Sequence, residues 1–255
     1  MARTRLSFVV QRTERLTDHL IRVHLGGPGF AAFQSNGFTD AYVKLQIPGP
    51  DGDTTRTYTV RSIDHELEQI AIDFVYHGEE GFAGPWAAAA QPGDPLDLSG
   101  PGGAYAPSPD ADWHLLAGDE SALPAISAAC AALTAQAVGR VFVEVDGPAD
   151  ELDFARPAGV ELTWVHRGDR EPGAALAEAV RAEPWREGQV HVFIHGEAQA
   201  IMHDLRSYIR KDRGVPAALA SISGYWRRGR TEEGFRVWKR DLAEQEGAQS
   251  AGARR

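Results

Sequence analysis

The feature that most constrains this chain is a change of rhythm at Pro107-Ser108-Pro109-Asp110. Before it, short alternating or β-branched segments follow one another at 6–10, 20–25, 42–47, 56–60 and 70–76. Turn formers separate them, as in Gly26-Gly27-Pro28-Gly29, Pro48-Gly49-Pro50-Asp51-Gly52 and Gly100-Pro101-Gly102-Gly103. A series of this kind predicts an antiparallel barrel. One short helix is expected over 86–90, stopped by Pro92-Gly93. After the change, strands expected at 113–117, 141–145, 162–165 and 190–194 alternate with helices at 123–137, 174–181 and 199–210. That alternation predicts a parallel sheet with crossover helices. A last helix is expected from Thr231, with Glu232 and Glu233 in its first turn, followed by a frayed tail over 247–255.

With 255 residues, 43% of them hydrophobic, the chain can bury two ordinary cores. Lysine and arginine total 26 against 36 acids, a net charge of -10, which argues against nucleic acid and anionic membranes as partners. No stretch approaches eighteen apolar residues and the N-terminus lacks a signal-peptide core, so a cytoplasmic protein without membrane insertion is expected. The single cysteine, Cys130, cannot form an internal disulfide or an iron–sulfur cluster, and its apolar setting predicts a buried structural thiol.

Three segments carry chemistry. In Arg56-Thr57-Tyr58-Thr59-Val60-Arg61, strand alternation puts Arg56, Tyr58 and Val60 on one face and Thr57, Thr59 and Arg61 on the other. A tyrosine beside an arginine can cover a heteroaromatic ring while the guanidinium pairs with a phosphate; an ordinary exposed strand is the plainer alternative. In the second segment, Asp73 through Trp86, a strand runs into the glycine-rich His77-Gly78-Glu79-Glu80-Gly81 loop and then into a helix start whose free N–H groups suit a phosphate. The third is Gly118-Asp119-Glu120-Ser121-Ala122-Leu123-Pro124-Ala125, at the first strand-to-helix turn of the second half. In a doubly wound sheet that turn lies where nucleotides bind, yet the dinucleotide glycine fingerprint is absent. Its acids can accept hydrogen bonds from ribose or adenine, or Asp119 and Ser121 can cap the helix.

In this order the segments resemble the siderophore-interacting protein family, flavin-dependent ferric-siderophore reductases of the ferredoxin-reductase-like superfamily. The resemblance rests on Arg56, Tyr58, Thr59 and Arg61, on the His77-Gly78 loop leading to Trp86-Ala87, on 118–125, and on Gly224-Tyr225-Trp226-Arg227-Arg228-Gly229. It implies an antiparallel six-stranded FAD-binding β-barrel over 1–108, then a Rossmann-like α/β domain for NADH or NADPH over 109–246. It further implies flavin contacts from Arg56, Tyr58, Thr59, Val60, Asp73, His77, Gly78, Ala83, Gly84, Trp86, Asp119, Ser121 and Ala122. Nicotinamide contacts would come from Glu120, Gly196, Glu197, Tyr225 and Trp226. The ferric siderophore would meet Lys44, Arg61, Arg227, Arg236, Lys239 and Arg240. Relatives commonly carry serine or threonine where this chain has Gly84-Pro85, so a hydroxyl contact to phosphate is missing and Pro85 donates no N–H.

Between Gly224 and Arg240 six basic residues face two glutamates, a local excess of positive charge in an acidic chain that suits a small anionic chelate. Aromatics beside these cations also suit a planar anionic ligand, and a docked terminal helix with solvated arginines is the plainer alternative. His191 and His195 share a strand face without further ligands, so no resident metal is expected; the flavin scheme that the resemblance implies needs no side chain acting as acid, base or nucleophile. Arg167 and Arg170, or the arginines after Trp226, are candidates near the ribose 2′ position of the donor. The expectation is a monomeric reductase passing electrons from NADH or NADPH through FAD to a ferric siderophore. Alternatives are a flavin-free siderophore-binding protein and a reductase of the same fold with another acceptor or with ferredoxin as partner.

Overall fold

A computed structural model describes residues 4–49, 52–230, 234, 235 and 238. Seven antiparallel strands make the first sheet: β1 (Arg5–Thr17), β2 (Leu20–Gly26), β3 (Tyr42–Ile47), β4 (Thr54–Thr59), β5 (Ser62–Asp64), β6 (Gln69–Val75) and β7 (Pro95–Gly102). They lie in the order β4-β3-β7-β1-β2-β6-β5, one strand more than the expected six. Alternation along β3 buries Val43, Leu45 and Ile47, which join Phe8, Val23, Ile72, Leu96 and Leu98 in a single core. Two prolines, an aspartate and two glycines hide β7 in the sequence, although Leu96 and Leu98 alternate inward as strand residues must. The short helix α1 (Ala83–Ala89) begins three residues before the expected start and packs Ala83 and Ala87 on this core.

The second sheet is parallel: β8 (Trp113–Asp119), β9 (Val138–Val145), β10 (Gly159–His166), β11 (Val190–Glu197) and β12 (Ala220–Trp226), in the order β10-β9-β8-β11-β12. Strand order reverses between β8 and β11, so the crevice outside their carboxyl ends is where this architecture holds ligands. Helix α2 (Leu123–Ala132) stops five residues short of the expected end, because the chain must turn at Thr134–Ala137 to enter β9. Helix α3 (Ala174–Ala182) is capped from outside: the buried Glu144 carboxylate on β9 accepts from the N–H groups of Gly173 (2.7 Å) and Leu176 (3.0 Å). The expected helix over 199–210 forms as two π-helical runs, Gln199–Leu205 and Tyr208–Asp212, whose Ile201, Leu205, Tyr208 and Ile209 pack on the sheet. The strand β12 has no counterpart in the expectation, its Ala-Ser-Ile-Ser-Gly run giving little strand signal.

Leu20 and Tyr105 from the antiparallel half pack into the cluster formed by α2 with β8, β9 and β11, joining the two halves. Cys130 is buried there, and desolvation pushes its thiol up to about 12, so it stays protonated. No helix among the described residues is long and apolar enough to cross a membrane. The expected helix from Thr231 and the basic residues Arg236, Lys239 and Arg240 lie outside the described residues, apart from Gly234, Phe235 and Trp238.

Candidate functional site

The expected alternation on β4 is realised, and it separates two surfaces. Tyr58 lies over Phe74 (ring centroids 4.4 Å apart), Phe74 meets Trp86 of α1 at 5.5 Å, and the Arg56 guanidinium stands 5.5 Å over the Phe82 ring. Phe82 is the residue before α1, so Arg56 is brought to the helix start, where Ala83 and Gly84 have no intrahelical acceptor for their N–H groups. Pro85, the third residue of α1, sits where an N–H would be similarly unmatched, so it removes one donor and leaves two. A side chain at Gly84 would meet the Val75 carbonyl at 3.0 Å, which gives this glycine a packing reason of its own. An aromatic shelf ending in a guanidinium and two amides fits a flat ring joined to a pyrophosphate.

The opposite face of β4 points to the second half of the molecule. Thr59 is buried and hydrogen-bonded to the phenol of Tyr225, whose desolvation raises its pKa. Lys44 shares this face, opposite Thr57 in the β3–β4 register. Val60 belongs to the core. Asp73 accepts from Arg22 Nε and Nη2, at 2.6 and 2.8 Å, so its carboxylate is matched within the sheet. Arg61 is half-buried, its pKa lowered by desolvation, with Asp73, Arg22 and Cys130 as the charged or polar groups around it.

At the carboxyl edge of the parallel sheet Asp119 ties three strands together. Its carboxylate accepts from Ser121 N (3.0 Å), Ser121 Oγ (2.5 Å), Glu197 N (2.8 Å) and Trp226 Nε1 (2.8 Å). Burial raises its pKa while these donors pull the other way. Gly196 has φ +146 and would place a Cβ 2.6 Å from Asp119 Oδ2, so only glycine permits this closure. Glu197 in turn accepts from Ala200 N (2.9 Å) and Arg228 N (3.3 Å). Ala122 is fully buried at the start of α2. Asp119 and Glu197, expected as ligand contacts, thus direct their oxygens to protein donors, and Asp119 shapes the β8–α2 turn.

Glu120, one residue on, faces an open cleft of about 380 Å³ lined by His77, Glu120, Arg167, Trp226, Arg228 and the loop from Gly168 to Pro172. Its Oε1 has no hydrogen-bond partner and lies 3.7 Å from Arg167 Nη2; burial, then the charge of Asp119, pushes the carboxyl up to about 7. Burial lowers the pKa of His77, and Gly78 and Gly81 beside it adopt φ of +67 and +76 with open space at each Cβ position. The cleft therefore joins an expected flavin residue, His77, with expected nicotinamide residues, Glu120 and Trp226. Arg227 donates to Gln199 (3.3 Å) and lies 4.3 Å over Trp238, and Arg228 pairs with Glu171.

Comparison with known proteins completes the picture. Residues 111–229 match the family model described as siderophore-interacting protein, and residues 9–55 and 47–105 match its siderophore-interacting FAD-binding domain. The chain belongs to the siderophore-interacting protein family. It is 53% identical to an uncharacterised protein of Mycobacterium tuberculosis, covering 94% of this chain and 96% of that one. It is 34% identical to the ferric vibriobactin reductase of Vibrio cholerae, covering 90% and 91%. A siderophore utilization protein from T. fusca superposes with a TM-score of 0.81 at 36% identity, covering 89% of this chain and 94% of that chain. A ferredoxin NADP+ reductase from Neisseria gonorrhoeae shares the fold, with a TM-score of 0.65 at 14% identity over 89% of this chain and 100% of that one.

Sequence reasoning overlooked Arg22, Glu144, His19, Asp146 and Asp150, and weighed Arg167 only for the ribose. Each of these acts across elements far apart in the chain, where periodicity leaves no trace.

Proposed function

We propose that this protein is an FAD-dependent reductase that takes hydride from NADH or NADPH and delivers electrons to iron(III) held by a siderophore. One nicotinamide nucleotide reduces two ferric chelates, giving the oxidised nucleotide, a proton and two ferrous chelates. Bound FAD supplies the link between a two-electron donor and a one-electron acceptor. The observation that carries the reading is the Arg56–Tyr58 shelf leading to α1 within the half matched by the FAD-binding family model. The resemblance to a ferric vibriobactin reductase supports the acceptor class.

On this reading residues 1–108 hold FAD and 109–246 bind the donor. Arg56 with the Ala83 and Gly84 amides takes the pyrophosphate, and Tyr58 lies along the ring system with His77 and Gly78 at its edge. Ser121 and the turn shaped by Asp119 border the adenosine. Glu120 and Trp226 line the approach for the nicotinamide, with Tyr225 behind them on Thr59. Lys44, Arg61 and Arg227, with Arg236, Lys239 and Arg240, attract the anionic chelate. The protein would act as a cytoplasmic monomer, with ferredoxin as the competing electron donor.

Purification with added FAD tests the reading. A yellow protein that NADH or NADPH bleaches without oxygen, and that a ferric catecholate recolours, is the expected result. Failure to bind supplied FAD overturns it, whereas reoxidation by ferredoxin but by no ferric chelate would reassign the acceptor. Arg56→Ala should weaken FAD by about ten- to a hundredfold, the loss of a charge-assisted contact.

A further inference from the structure

Behind the cleft, the two halves bring together a set of ligand-bearing side chains that the reductase reading does not use. His19 sits in the tight turn between β1 and β2, fixed by its own N–H to Thr17 Oγ1 (3.1 Å) and by its carbonyl, which accepts from Tyr76 N (2.8 Å). Its Nδ1 lies 2.8 Å from Asp150 Oδ1. Asp150 is buried in the short 3-10 turn Pro148–Asp150 that follows β9, and Asp146 stands at the start of the same connection. One ligand atom from each of His19, Asp146 and Asp150 lies within 4.8 Å of the other two. Arg167 holds one oxygen of Asp146 at 2.7 Å, which leaves the second oxygen for another partner.

The charge around this group is unbalanced. Asp146, Asp150 and Glu120, three carboxylates, face the Arg167 guanidinium and the His19 imidazole, and the Glu120 oxygen nearest Arg167 has no hydrogen bond. The His77 ring stands 6.4 Å from that of His19, adding a second imidazole at the cleft wall. Imidazole with two carboxylates is a donor set for borderline divalent metals, whose bonds to such atoms run about 2.0–2.2 Å, so modest side-chain rotation would close the set on an ion.

We propose that His19, Asp146 and Asp150 form a binding site for a divalent borderline cation, and that its occupant is the ferrous iron released in the adjoining cleft. Reduction turns a hard ferric ion, held by oxygen chelators, into a softer ion that an imidazole and two carboxylates can take. The site would then hold the product on its way out, away from the chelate that would otherwise rebind it. This occupant rests on the reductase reading, while the site itself does not.

Anaerobic titration of the FAD-loaded full chain with cobalt(II) tests the site without turnover. One equivalent should bind with visible cobalt absorption, and His19→Gln and Asp146→Asn should each weaken it by about tenfold or more, the scale set by losing a metal-site partner. His166→Gln, altering the comparable pair of His166 with Glu151 at 2.8 Å, should leave binding unchanged. Asp146 is exposed, so its variant carries the test if the His19 variant fails to fold. Absent cobalt binding, or equal affinity in the Asp146 variant, overturns the site. The occupant is tested in a single turnover with a chromogenic ferrous chelator, which should capture iron more slowly from the native protein than from Asp146→Asn. Equal traces overturn the ferrous assignment. A protein that reduces no ferric chelate fails the reductase reading instead, with the cobalt result standing apart.

Discussion

Two adjacent carboxylates at the end of β8 meet opposite surroundings. Asp119 accepts four hydrogen bonds and binds the ends of β8, β11 and β12 into a closed knot, whereas Glu120 faces the cleft with one oxygen unpartnered and a single guanidinium nearby. The fold thus divides its labour between neighbours. A closed knot sets the crevice where strand order reverses, and the next residue supplies an open, chemically responsive wall.

Breaking the knot should produce the largest effect. Asp119→Ala would leave the Glu197 amide, the Ser121 amide and hydroxyl and the Trp226 indole without their acceptor in a dry setting. The expected loss is about 3–5 kcal/mol, the scale for uncovering several buried donors at once. Urea unfolding measures it directly, and a loss below about 1 kcal/mol would mean that water replaces the carboxylate. Gly196→Ala attacks the same knot from the opposite side. Its φ of +146 and the 2.6 Å approach of the new Cβ to Asp119 Oδ2 predict a loss of about 2 kcal/mol. Adding Asp119→Ala should relieve the contact part of that cost, so the loss in the double variant should be smaller than the sum of the two single losses.

The knot also marks where the sequence was legible and where it was not. The change from strand series to strand–helix alternation at 107–110 located the passage between the two sheets, which falls between Gly102 and Trp113. Alternation placed Arg56 and Tyr58 together and Thr59 on the other face, as the contacts to Phe74, Phe82 and Tyr225 bear out. Asp119 was legible as a residue that caps or contacts, but not as the acceptor of an indole 107 positions away, since nothing local encodes that meeting. Strand β7 was missed because proline and glycine masked a correct alternation, and β12 because small residues fill most of its first half, with Gly224 before Tyr225 and Trp226. The His19 and Asp150 pair is likewise invisible along the chain, with 131 positions between its members.

Removing one donor alone should soften the knot without undoing it. Trp226→Phe keeps the ring that lines the cleft and deletes the Nε1–H to Asp119, while three donors remain. The expected cost is about 1.5 kcal/mol, at the lower end for a bond to a charged acceptor. Trp226→Ala should cost more and also open the cleft, so the pair of variants separates the hydrogen bond from the packing.

Glu120→Gln should act in the opposite sense and depend on pH. In the unfolded chain Glu120 loses its proton near 4.5, but in the folded protein burial, with the charges of Asp119 and Asp150 outweighing Arg167 and His19, delays that loss to about 7. Between these values the folded state holds more protons than the unfolded one, so the contribution of Glu120 to stability is fully present below 4.5. It is lost as pH rises through 7. The amide has no proton to lose. The variant should therefore match the native protein near pH 4.5 and exceed it by about 1 kcal/mol at pH 8, the open cleft screening the larger value that full burial would give. Urea midpoints at the two pH values decide the matter. No gain, or a loss, at pH 8 would mean that Glu120 is ionised and balanced by Arg167, which would make the cleft wall as fully matched as the knot beside it.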